Sequence, residues 1–91
     1  MRQDLLDTTD MMIGRPTLWP DGNRYSFHIL HRAMMFRYAE IGNAIDNWCR
    51  DHLSGNYKLL QDFNQGDPYY SLQCSKEDAA IFVLHFGKAI Y

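Results

Sequence analysis

From Leu30 to Leu53 the apolar positions Met34, Tyr38, Ile41, Ile45 and Trp48 recur at alternating spacings of four and three. That spacing sets them in one stripe of an α-helix, with Arg32, Glu40, Asn43, Asn47 and Arg50 falling largely elsewhere. Asp46 and Arg50 stand four apart in the favourable orientation for an ion pair. Ser54-Gly55-Asn56 supplies the stop, and Gly55 suits the left-handed C′ position.

The remaining patterns are shorter. Thr17-Leu18-Trp19 and the alternating run Arg24 to Ile29 flank Pro20-Asp21-Gly22-Asn23, which predicts a hairpin. Pro16 then requires the first of these strands to lie at a sheet edge. A second hairpin is predicted from Tyr57–Phe63 and Tyr69–Cys74 around Asn64-Gln65-Gly66-Asp67-Pro68. Ser75 caps a final helix that starts Lys76-Glu77-Asp78, buries Ala79, Phe82, Val83 and Phe86, and ends at Gly87. Lys88 to Tyr91 reads as a fraying tail or a short last strand. Met1 to Ile13 lacks clear periodicity, and its Asp4, Asp7, Thr8, Thr9 and Asp10 make it a polar arm before one domain at 14–91.

Together these elements give an α+β two-layer sandwich, ββαββα, with an antiparallel sheet and both helices on one face. The alternative, should Lys88–Tyr91 pair in place of the first strand, is a ferredoxin-like βαββαβ.

Composition sharpens this picture. Apolar residues are 46% and charged residues 22% of 91, the balance of a globular chain. Five Phe, six Tyr and two Trp exceed what so small a core encloses, so some rings face outward. Tyr69 and Tyr70 are neighbours on a strand and must point to opposite faces. A net charge of −2 supplies no global field toward nucleic acid or acidic lipid. The charge is uneven, however. Arg15, Arg24, Arg32 and Arg37 face only Asp21 between Gly14 and Tyr38, whereas Asp51, Asp62, Asp67, Glu77 and Asp78 outweigh Lys58 and Lys76 further on.

Candidate chemistry is sparse. His28 and His31 stand three apart, as do Cys49 and His52, but no second pair at zinc-finger spacing accompanies either. The two cysteines sit in apolar company and read as buried and inert. No nucleophile elbow, metalloprotease helix, phosphate loop or dinucleotide fingerprint occurs. No metal, cofactor or catalytic residue is therefore expected. With no apolar run of signal or membrane-span length, the expected location is the cytoplasm, with reduced thiols and no membrane partner.

Protein recognition accounts for the most features. Trp, Tyr and Arg dominate interface energetics, and the expected partner-binding surface comprises Trp19, Arg15, Arg24, Tyr25, Arg32, Arg37, Tyr69 and Tyr70. The alternatives are a structural subunit of a virion or homo-oligomer and a single-stranded nucleic-acid binder. Against the latter, Asp67-Pro68-Tyr69-Tyr70-Ser71-Leu72 lacks a basic-Gly-aromatic strand pattern.

The stretch Trp48-Cys49-Arg50, Tyr69-Tyr70-Ser71-Leu72 and Ser75-Lys76-Glu77-Asp78-Ala79-Ala80-Ile81-Phe82-Val83-Leu84-His85-Phe86-Gly87 resembles small accessory proteins of tailed bacteriophages. Shared with them are an aromatic strand, a Glu-Asp-Ala helix start and a Phe-Gly close. The resemblance covers about the last half of the chain and implies a non-enzymatic phage protein that engages a host protein or forms a minor virion component. It assigns no functional residue.

Overall fold

A turn of 3-10 helix at Thr8–Asp10, capped by the Asp7 carboxylate, leads into β1 (Met11–Ile13), β2 (Thr17–Leu18) and β3 (Arg24–His31). Helix α1 (Met34–His52), strands β4 (Lys58–Asn64) and β5 (Asp67–Ser75), helix α2 (Lys76–Phe86) and a second 3-10 turn at Gly87–Ala89 follow. The computed structural model describes residues 5–18, 22, 24–64 and 66–90.

The sheet is antiparallel, ordered β1-β3-β5-β4, with β2 also on β3. Both expected hairpin pairings are present, and both helices cover one face. The architecture is the expected two-layer α+β sandwich with one strand more. That strand corrects the reading of Met1–Ile13 as an arm. Met11 and Ile13 are buried, and Met11–Ile13 pairs with Ile29–His31. Ile90 also joins the sheet, through a parallel bridge with Ile13.

Alternation along the central strands builds the core. Phe27 and Ile29 of β3, with Tyr70, Leu72 and Cys74 of β5, face the helices and are buried. Ile41, Ile45 and Cys49 of α1 and Phe82 and Phe86 of α2 close over them. Each fully buried Phe or Ile contributes about 1.5–3 kcal/mol of transfer free energy, so these side chains supply most of the driving force. Phe82 sits 4.7 Å, ring to ring, from both Phe27 and Phe86, and Trp48 joins the two helices against the same rings.

Three local expectations shift. Helix α1 begins at Met34, because β3 continues through His31, where Met11 is its partner. Leu53 is the C-cap, so Gly55 takes its positive φ of 97° one residue later than the C′ position. Val83, expected in the buried stripe of α2, is 39% exposed. The Ser75 cap is as expected, its Oγ accepting the Asp78 amide at 3.2 Å. Asp78 itself is buried and accepts the Ser54 hydroxyl at 2.7 Å and the Ser54 amide at 3.1 Å. It ties the loop after α1 to the first turn of α2.

Candidate docking groove

The arginines and aromatics expected to form one surface do not meet. Strand β3 carries Arg24 at one end, and Arg32 follows its other end, roughly 26 Å away at the rise of an extended chain. Arg32 pairs with Asp10 at 3.4 Å, and Arg37 binds Glu40 at 2.6 Å at a break in the helical dihedrals of α1. With Phe36 these two arginines line a separate shallow hollow beside Leu5 and Ala33. Tyr70 is 2% exposed and leaves the set altogether. Its ring stacks on Tyr38 at 4.4 Å and its hydroxyl donates to the Tyr38 carbonyl at 2.6 Å. Tyr69 points to the opposite, open face, as the strand pleat requires, and its hydroxyl donates to Asp62 at 3.1 Å. Trp19 lies outside the described residues.

The imidazoles and thiols are also dispersed. His28 stands on the open face, 5.1 Å from the Tyr69 ring, while His31 points into the helix layer. Both nitrogens of His31 are engaged. The Ala33 amide can only donate, so Nδ1 accepts it at 3.0 Å and Nε2 carries the proton given to the Leu5 carbonyl at 2.9 Å. His52 stacks on Trp48 at 4.5 Å while Cys49 is enclosed in the core. Burial pushes the Cys49 thiol up to about 12 and the Cys74 thiol up to about 11, so neither is a nucleophile at neutral pH.

What the fold does assemble is an apolar groove of about 430 Å³ between α2 and the β2–β3 edge. Lys76, Ala79, Ala80, Val83 and Leu84 follow one another along α2 at helical spacing and form one wall. Pro16, Tyr25 and Phe27 form the other. Two alanines keep the helix wall low. The sheet is thin here, because β2 has two residues and the chain from Gly14 to Pro16 is irregular. Leu18, opposite Tyr25 in register and 50% exposed, stands on the same face of the sheet, and Leu84 in the groove wall is 89% exposed. Among the described residues no carboxylate lines the groove, and Lys76 is the charged residue of its lining. Arg15 precedes the lining residue Pro16 in the chain, whereas Arg24, one position before Tyr25 on β3, points to the opposite, open face.

Of the residues expected at the partner surface, Tyr25 lines this groove and Arg15 adjoins its Pro16 in the chain, while Arg24 points to the open face of the sheet. The groove itself depends on Ala79 and Val83, expected in the buried stripe of α2, and on Ala80 and Leu84, to which the sequence pattern assigns no role. Exposed apolar residues three and four apart were the available signal. No helix among the described residues is long and apolar enough to cross a membrane. Neither protein-family models nor curated proteins nor solved structures yield a match to this chain.

Proposed function

We propose that this protein is a non-enzymatic binding module that takes an apolar segment of a protein partner into the groove between α2 and the β2–β3 edge. The observation that carries this reading is a groove walled by Tyr25, Phe27, Ala80, Val83 and Leu84, left open among the described residues. Its volume falls within the range of small ligand and side-chain pockets, and such grooves bind apolar anchors with charged flanks. Lys76 in its wall favours an acidic flank in the partner.

The buried, protonated thiols support binding over nucleophilic catalysis. Asp62 at the Tyr69 hydroxyl sets a carboxylate beside the half-buried ring of the open face, which disfavours passage of a phosphate backbone there. The resemblance to phage accessory proteins suggests a host protein as the partner.

Selection of random peptides on the immobilised protein tests the reading, with Ala80→Arg as the counter-selection. Ala80 is exposed, so the variant fills the groove without disturbing the core. Enriched peptides should carry an apolar anchor with acidic neighbours, and should lose at least tenfold in affinity, about 1.4 kcal/mol, for the variant. Peptides that bind both proteins equally, or no enrichment at all, would remove the groove from the proposal.

A further inference from the structure

Strand β4 is an edge. It pairs with β5 on one side, and among the described residues no strand lies on its other side. Lys58, Leu60, Gln61, Asp62 and Phe63 are all exposed, and α1 touches only the helix side of the strand, where Tyr38 stacks on Phe63 at 6.1 Å. The opposite side of the sheet is treated differently: β1 has three residues and is bridged at Ile13 by Ile90. A seven-residue edge with exposed Leu60 and Phe63 and no proline has its outer row of amides and carbonyls available for another strand.

The direction of those groups follows from the hairpin. Asn64 and Asp67 close it across two residues, and a two-residue hairpin closes on a hydrogen-bonded pair. Alternation then turns the backbone groups of Asp62 and Leu60 toward β5 and those of Leu59, Gln61 and Phe63 outward. The Phe63 amide agrees, since it is held at 2.8 Å by the Asp62 carboxylate of its own strand. That contact caps the outer row at one end and leaves Leu59 and Gln61 at its centre.

The side chains select the strand that fits. Two antiparallel copies of β4 related by a two-fold axis must place residues of like parity opposite each other, or the helices would fall on opposite faces. With Leu60 opposite Leu60 of the second copy, Lys58 stands opposite Asp62 and Asp62 opposite Lys58. The outward pairs become Leu59 with Gln61 twice, and Tyr57 meets Phe63 on the helix side. A shift of two residues either way sets Leu60 against Asp62 or against Lys58 and leaves a charge opposite a leucine. With opposite charges at equal distances from Leu60, Lys58 and Asp62 thus match one register of the strand's own image.

We infer that a second copy of this chain pairs antiparallel with the β4 edge about a two-fold axis at Leu60, joining two sheets into one. The contact uses neither wall of the apolar groove, so it leaves the groove open and stands independently of what binds there.

Sedimentation equilibrium over a micromolar-to-millimolar series tests this, with far-UV circular dichroism as the folding control. The wild type should populate a dimer. Lys58→Asp sets two pairs of carboxylates face to face and should weaken the dimer at least tenfold, as like charges across a strand pair repel. The double variant Lys58→Asp/Asp62→Lys restores opposite charges and should return the constant to within about threefold of the wild type. Because Asp62 also holds Tyr69 and Phe63, Leu60→Lys serves as a second probe on the exposed face, and it too should weaken the dimer at least tenfold. A wild type monomeric throughout, or a dimer indifferent to Lys58→Asp and Leu60→Lys, overturns the inference. So does a well-folded double variant no tighter than Lys58→Asp alone.

Discussion

The hydroxyl of Tyr70 stands in the space where any side chain on Gly42 would have to be. A Cβ built at residue 42 falls on the Tyr70 hydroxyl and the ring carbons beside it. That hydroxyl is held there by its hydrogen bond to the Tyr38 carbonyl, one turn earlier in α1. Glycine within a helix costs about 0.5–1 kcal/mol relative to alanine, and the cost is offset by the close approach of α1 to β5.

Gly42→Ala should therefore destabilise the fold despite improving helix propensity, by roughly 2–4 kcal/mol, since Tyr70 is buried and the sheet backbone cannot retreat. Gly55→Ala, at a φ of 97° with open space around it, should cost only about 1 kcal/mol through backbone strain. Urea unfolding of both variants separates the two mechanisms. Equal losses would contradict the steric account at Gly42.

Asp78 predicts a second contrast. Its carboxylate receives two donors from Ser54 in a buried site, so Asp78→Ala strands the Ser54 amide and should cost roughly 2–3 kcal/mol. Ser75→Ala removes only the cap at the start of α2 and should cost about 1 kcal/mol. Chemical denaturation of the two variants checks the order, which is the reverse of what capping alone would give.

The alkaline limb of the stability curve should be steep. Burial raises Cys49 to about 12, Cys74 to about 11 and Tyr70 to about 12, from ordinary values of 9.0 for the thiols and 10.0 for the phenol. Below about pH 9 these groups are protonated in both states and their contribution is fully present. Above it the unfolded chain ionises first, unfolding releases protons, and stability falls by about 1.4 kcal/mol per proton per pH unit until the folded values are reached near 11–12. Unfolding free energies measured from pH 8 to 11 should show this decline, flattened in Cys49→Ala/Cys74→Ala relative to its own neutral value. At pH 8 a thiol reagent should label the native protein far more slowly than the urea-unfolded chain. Rapid native labelling would contradict burial of the thiols.

Much of the fold was legible because its cues are local. The stripe Met34, Tyr38, Ile41, Ile45, Trp48 made a helix wherever it packed, since a period of 3.6 needs no partner to be read. Ser75 capped α2 through an amide three residues away. The pleat set Tyr69 and Tyr70 on opposite faces before any neighbour was known.

Other features were set by neighbours distant in the chain. Met11-Met12-Ile13 is too short to announce a strand, and it became one because β3 offered a free edge at Ile29–His31. The same pairing kept His31 out of α1. The arginines were close in sequence, yet an eight-residue extended strand carried Arg24 and Arg32 to opposite ends of the sheet. Which face of α2 stays open among the described residues, and so where Ala80, Val83 and Leu84 line a groove, follows from the shortness of β2 across from it. Periodicity and capping are satisfied within a few residues and are written in the sequence by itself. Burial is a relation between segments brought together from afar, and only the tertiary structure decides it.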